Sequence, residues 1–247
     1  MVQSLTGFPG WVRYNGRELD INIQGVGILA YLYLVRHGET QINAQGRFNG
    51  GGVDTPLTDK GVASARTLGA MLRPLSFRRI VVSPQARAIR TAKLIVGADA
   101  PLRVDERLRE MRLGDWDGQT GDFARSFTQY DDYFHHPDRF DGHAIHAETY
   151  QELVDRASAA YQDAVAGLGT QDRVLIVAHG ILLSIVSRVL IGTPLGQTRD
   201  APLLANTSVS VLQNQTGDPG WRRLAWGVTP AALADEPAPV QQLFKEE

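Results

Sequence analysis

The sequence predicts an α/β protein, a three-layer α/β/α sandwich with a mostly parallel central sheet and a small inserted cap. Three short runs carry the expectation: Tyr31-Leu32-Tyr33-Leu34-Val35, Arg79-Ile80-Val81-Val82 and Val174-Leu175-Ile176-Val177-Ala178. They are aliphatic-rich and lack polar alternation, as strands covered on both faces must be. The stretches between them have helical period, so helices alternate with strands.

Taken in order, residues 1–26 form an N-terminal extension. In it Phe8, Trp11, Val12, Tyr14, Ile21 and Ile23 suggest a small hairpin. Residues 27–230 read as one domain. Its first apolar stretch, Gly27 to Val35, is far shorter than the roughly 20 residues that span a bilayer and has no basic segment before it. A sheet strand explains it better than a signal or an anchor. Thr58 is placed to cap a helix whose Val62, Ala65, Leu68, Gly69 and Leu72 share one face, stopped near Pro74. Pro84 is expected to open a second helix carrying Arg87 one turn in. A third runs from about Glu148 to Leu168, with Leu153, Ala157, Ala160, Tyr161, Ala164 and Leu168 aligned, and a fourth covers Ile181 to Ile191. Residues 118–147 are polar, aromatic and irregular, which suits a cap closing over a pocket. Asn206 to Leu212 and Trp221 to Trp226 read as closing strands, and the Pro- and Ala-rich residues 231–247 as a mobile tail.

Composition narrows the function. A chain of 247 residues buries an adequate core without staples, and the absence of cysteine excludes disulfides, thiolate metal sites and a cysteine nucleophile. It also fits a cytoplasmic setting. With 25 basic and 27 acidic residues scattered along the chain, nothing pulls it toward nucleic acid or a membrane surface. The expected partner is a small molecule, any anion site must be local, and a homo-oligomer is not excluded.

Each of the three strands ends in groups suited to an anion. The first delivers Arg36-His37-Gly38-Glu39-Thr40, the second Ser83-Pro84 followed by Arg87, and the third His179-Gly180. In open α/β sheets ligands bind beyond the carboxyl ends of the parallel strands. A guanidinium fork matches phosphate oxygens, and a neutral imidazole is a competent nucleophile. Arg36, Arg87 and His179 are therefore expected to converge on one dianion, with His37 at its centre. Ser83 lacks a Gly-x-Ser-x-Gly elbow, so it is read as a hydrogen-bonding residue at a helix start. In the cap, His135, His136, His143 and His146 lie among Asp131, Asp132, Asp138 and Asp141, but no zinc-ligand spacing is matched. They are read as a solvated lid, and no metal is expected.

The ordered set of motifs resembles the histidine phosphatase superfamily, in its phosphoglycerate-mutase-like branch. The residues carrying the resemblance begin with Arg36-His37-Gly38-Glu39-Thr40, Asn43, Gly46-Arg47-Phe48, Asp54-Thr55-Pro56-Leu57-Thr58 and Gly61. They continue with Ser83-Pro84, Arg87-Ala88, Thr91-Ala92, Leu108, Glu110, Gly114-Asp115-Trp116-Asp117-Gly118, Glu148, Arg156 and Ala178-His179-Gly180. The resemblance implies that His37 is phosphorylated, that Arg36, Arg87, His179 and Asn43 bind the phosphoryl group, and that Glu110 is the proton donor. By the same resemblance Asn49 and Glu148 are candidate substrate contacts. The chain departs from the pattern at Asn49-Gly50-Gly51-Gly52-Val53, which has a shorter amide and one extra residue before Asp54, and at Ala147-Glu148-Thr149 in place of Gly-Glu-Ser.

Phosphoryl transfer is catalysed mainly by positioning and by stabilising charge on the equatorial oxygens, so two guanidiniums and an imidazolium can stand in for a metal. No cofactor is expected. His37 must be neutral at the attacking nitrogen, whereas His179 is expected to be protonated. The reading is a metal-independent phosphomonoesterase acting on a small phosphorylated metabolite. A cofactor-dependent phosphoglycerate mutase is the first alternative and a non-catalytic phosphate-binding module the second. The segment Leu108 to Gly118 resembles phosphatase members more than mutases, and joint retention of Arg36, His37, Arg87, Glu110 and His179 argues against a dead module.

Overall fold

A computed structural model describes residues 11–14, 17–20, 30–214 and 220–245. Strands β1 (Trp11–Tyr14) and β2 (Arg17–Asp20) pair antiparallel, Trp11 opposite Asp20. Phe8, Ile21 and Ile23, also counted toward that hairpin, lie outside the described residues.

The central sheet contains β3 (Tyr31–Arg36), β4 (Arg79–Val82), β5 (Arg103–Val104), β6 (Arg173–Ala178), β7 (Val209–Asn214) and β8 (Trp221–Val228). Their spatial order is β5-β4-β6-β3-β7-β8; the first four run parallel to one another, while β7 runs antiparallel to both β3 and β8. Helices are α1 (Gln41–Ala44), α2 (Asp59–Leu72), α3 (Ala86–Val96), α4 (Gly121–Ala124), α5 (Tyr130–His135), α6 (Tyr150–Val165), α7 (Gly180–Leu190) and α8 (Ala238–Gln242).

Successive side chains of a strand point to opposite faces, and the two faces of this sheet build two cores. Leu32 and Leu34 of β3 join Val174 and Ile176 of β6 in the layer formed by α6 and α7. Tyr33 and Val35 join Leu175 and Val177 beneath α2 and α3, on Leu68, Leu72, Ala88 and Ala92. The result is the expected three-layer α/β sandwich. Helix α2 starts where anticipated, with the Thr58 side chain accepting from the Gly61 N–H. Helix α6 is shorter than the sequence suggests: Thr149 and Glu152 close a reciprocal capping box, so it begins at Tyr150. Helix α3 begins at Ala86 with Gln85 at the N-cap, which places Arg87 in the first turn rather than one turn in.

Two sequence expectations are corrected. The tail expected to be mobile instead packs onto the second core. Phe244 is 3% exposed, its ring meets that of Tyr33 edge-on at 6.2 Å, and the Tyr33 hydroxyl donates to the Leu243 carbonyl at 2.7 Å. The cap is also more regular than its composition suggests. Helices α4 and α5 and a 3-10 turn at Gly142–Ile145 wrap Trp116, whose indole meets the rings of Phe48, Phe127, Tyr130, Tyr133 and Phe140 at 5.4–6.3 Å. Such a ring cluster holds its shape through area and edge-to-face geometry instead of long helices. Among the described residues, no helix is long and apolar enough to cross a membrane.

Candidate active site

Strands β4, β6 and β3 are neighbours, so their carboxyl ends lie side by side. Arg36 is in register with Ala178, and Val82 with Val177. The ladder extends one residue further, with His37 N–H donating to Ala178 O at 2.9 Å and Ser83 N–H to Val177 O at 3.1 Å. This brings His37, Ser83 and His179 together, and the two imidazole rings meet at 5.1 Å between centroids.

His37 is 2% exposed. Its Nδ1 lies 2.8 Å from the carbonyl oxygen of Gly38, an acceptor only, so Nδ1 carries the proton and Nε2 keeps its lone pair. Burial, then the charges of Arg87 and Arg36, hold its pKa well below the ordinary histidine range. The ring is neutral and its free nitrogen is nucleophilic.

His179 departs from expectation. Arg87 Nε donates to its Nδ1 at 3.3 Å, which leaves the proton on Nε2, donated to Ser83 Oγ at 2.6 Å. Burial, then Arg87, His37 and Arg36, push its pKa well down. The expected imidazolium is therefore a neutral imidazole here, because an arginine occupies the nitrogen that a second proton would need.

Arg36 commits one nitrogen to the Leu204 carbonyl at 2.6 Å, while its Nε is buried without a hydrogen-bond partner. A buried charged donor left unpaired is costly unless a ligand oxygen completes it. Gly180 makes room for this guanidinium: a Cβ there would stand 2.9 Å from Arg36 Cζ. Gly180→Ala is accordingly expected to lower kcat/KM for a phosphate ester about 10²-fold, the scale of losing one oxyanion donor. The melting temperature should fall as well, since the added methyl presses on a buried guanidinium and overpacking costs about 1–3 kcal/mol; steady-state kinetics beside a thermal melt checks both. Asn43 is fixed by its Oδ1, which accepts from Thr40 N–H, Thr40 Oγ1 and Asn49 Nδ2 at 3.0–3.3 Å. Among the described residues its Nδ2 makes no hydrogen bond, so one amide donor is held in place and uncommitted.

Arg87 is placed differently from an open phosphate fork. Nη1 donates to Val53 O at 2.6 Å and Asp54 Oδ1 at 3.1 Å, and Nη2 to Asn49 O at 3.3 Å and Gly50 O at 3.0 Å. With Nε on His179, all five donors meet protein acceptors. The loop of residues 49–53 supplies these carbonyls. Arg87 acts on the site through its charge and through its hold on His179, and the expected fork contact is corrected to that extent.

Glu110 is 3% exposed among Leu108, Met111, Leu113 and Trp116, as its neighbours in sequence suggest. Its Oε1 accepts from Met111 N–H at 2.9 Å and Leu182 N–H at 3.0 Å, and its Oε2 from Ile181 N–H at 3.0 Å. The carboxyl group thus sits on the first turn of α7, beside His179, with one lone pair of Oε2 uncommitted. Glu148, a candidate substrate contact, is corrected to a brace. Its oxygens take Arg112 N–H at 2.9 Å and the Arg156 guanidinium at 2.5 and 3.0 Å. Arg156 also donates to the carbonyls of Arg107, Arg109 and Glu110, fixing the 3-10 turn at Glu106–Leu108 and the residues after it that carry the acid. Asn49, the other candidate contact, spends its Nδ2 on Thr40 and Asn43 and serves to orient Asn43.

The cap histidines do not assemble. His135 pairs with Asp131, His143 with Glu152 and His146 with Asp115, each at 3.0 Å between exposed side chains. Only His136 lies with both Asp131 and Asp132. Two residues outside the expected set touch the site. Asn206 Nδ2 donates to His37 O at 2.9 Å. Gln85 reaches both the glycine-rich loop and Glu110. The sequence misses Gln85 because Pro84 marks an earlier helix start, which puts Gln85 inside the helix instead of at its N-cap.

Known proteins of similar sequence and fold show the family. Residues 32–227 match the model of the histidine phosphatase superfamily, branch 1, and the chain belongs to that superfamily. Among curated relatives, the "Probable phosphoglycerate mutase GpmB" of Salmonella paratyphi A is 34% identical over 204 residues, covering 81% of this chain and 91% of that protein. Among solved structures, YhfR of Bacillus stearothermophilus aligns with a TM-score of 0.74 at 33% identity, over 81% of this chain and 98% of its own. A mycobacterial glucosyl-3-phosphoglycerate phosphatase aligns with a TM-score of 0.71 at 26% identity, over 81% of this chain and all of its own (100%).

Proposed function

We propose that this protein is a metal-independent phosphomonoesterase that works through a phosphohistidine on His37. The observation that carries the reading is the Nδ1 bond of His37 to Gly38 O in a buried, cationic setting, which leaves Nε2 unprotonated and able to attack. Nε2 bonds to phosphorus as the ester P–O bond breaks, and the departing oxygen takes the carboxyl proton of Glu110. In the second step the Glu110 carboxylate takes a proton from water, the water oxygen bonds to phosphorus, and the N–P bond breaks. The Arg36 guanidinium and Asn43 Nδ2 supply donors to the equatorial oxygens, and Arg87 adds positive charge behind His179.

A second reading, phosphoglycerate mutase, is favoured by the name of the GpmB relatives. In it the phosphoryl group returns from His37 to bound product instead of water. A panel of phosphate esters, assayed for phosphate release in excess EDTA, separates the two. Release from aryl and alkyl esters supports the phosphatase. Interconversion of 2- and 3-phosphoglycerate that needs a bisphosphate primer, with little release, supports the mutase. Binding of phosphate without either reaction would leave the non-catalytic module. The pH profile adds a check: because the His37 pKa is depressed, the ring stays neutral as pH falls, and its acid limb should lie below the usual histidine value of about 6.5.

A further inference from the structure

The Gln85 side chain is 3% exposed and makes three hydrogen bonds, none of them to its own helix. Its Oε1 accepts the backbone N–H of Glu110 at 2.9 Å, and its Nε2 donates to Gly50 O at 3.2 Å and Val53 O at 3.1 Å. One amide therefore joins the segment that bears the acid to the loop that holds Arg87.

That loop is built to lie flat against the acid segment. Gly51 N–H donates to Met111 O at 2.8 Å, and a Cβ at Gly51 would stand 2.6 Å from Glu110 O. Asp117 pins the far side, its Oδ2 accepting from Gly52 N–H at 2.9 Å and Leu113 N–H at 3.2 Å. Gly50 O accepts from both Gln85 and Arg87, so the two side chains share one carbonyl. Glu110 itself is fixed at its carboxyl end by α7, at its carbonyl by Arg156 and at its N–H by Gln85. Removing Gln85 frees the only one of these three holds that leads back to Arg87.

We propose that Gln85 is a positioning residue: its amide sets Glu110 relative to the phosphoryl group by tying the Glu110 backbone to the loop around Arg87. This rests on the phosphatase reading above. A general acid matters in proportion to the basicity of the leaving oxygen, so an acid out of place penalises alkyl esters and spares aryl esters with good leaving groups. A structural role alone would lower both alike.

The test compares the intact protein with Gln85→Leu and, in case the branched side chain packs poorly, Gln85→Met. The esters are glycerol phosphate and p-nitrophenyl phosphate, assayed in EDTA. The expected result is a fall in kcat of about 10²-fold on the alkyl ester, the scale of an ångström's misplacement, against about threefold or less on the aryl ester. KM should hold within about twofold for both, since the phosphoryl donors are untouched. Equal losses on the two esters, or no loss on either, in a series whose unaltered protein is active would overturn the proposal while leaving the phosphatase reading intact. An unaltered protein inactive on both esters would overturn the two together.

Discussion

Replacing His37 by alanine is expected to abolish turnover, by at least about 10⁴-fold in kcat, because the variant has no atom to receive the phosphoryl group. The effect should be confined to chemistry. Arg36, Asn43 and Arg87 are held by bonds to Leu204, Thr40, Asn49 and the 49–54 loop, none of which involves the His37 ring. Inorganic phosphate should therefore still bind the variant, within about tenfold of the unaltered affinity, since a neutral imidazole contributes less than the charged donors. Calorimetric titration beside a turnover assay measures both. Retained turnover would mean that phosphate passes directly to water, and the covalent route would have to be dropped.

Glu110→Gln is expected to be nearly as severe, but only for some substrates. The loss should reach about 10²- to 10⁴-fold for alkyl phosphates and stay under about tenfold for p-nitrophenyl phosphate, whose leaving group needs no proton. The same change has a structural cost. Both Glu110 oxygens accept backbone N–H groups, from Met111, Leu182 and Ile181, and a carboxamide must turn its NH₂ toward one of them. A buried N–H without its acceptor costs about 1–3 kcal/mol, so a lower melting temperature should accompany the kinetic change. The ratio of the two ester rates separates the effects, because a loss of stability does not distinguish between substrates. A uniform loss would make Glu110 an anchor of α7 and nothing more.

Strands and site were legible in the sequence for one reason. A buried parallel strand must be apolar along its length and must stop at a polar residue, so β3, β4 and β6 announced both their position and the residues at their ends. Arg36, His37 and His179 followed at once. What could not be read was the state of these groups. Whether His179 is charged depends on Arg87 meeting its Nδ1, and whether Arg87 is open depends on carbonyls of Asn49, Gly50 and Val53, which have no side-chain signature. Glu148 showed the same limit, since its partner Arg156 lies two turns along α6 and the carbonyls that complete the pair belong to residues 107–110. The cap escaped the sequence because short helices around one indole have no periodicity long enough to register. Pro and Ala in the tail suggest mobility, while Phe244 and the Leu243 carbonyl fasten it to Tyr33.

Rapid quenching during turnover of a ³²P-labelled ester, in excess EDTA, tests the account where it is most exposed. Label is expected on the protein, stable to base, lost in acid, absent from His37→Ala and mapped to the peptide bearing His37. Turnover with no trapped label, label on another residue, or turnover that stops when divalent ions are removed would contradict it.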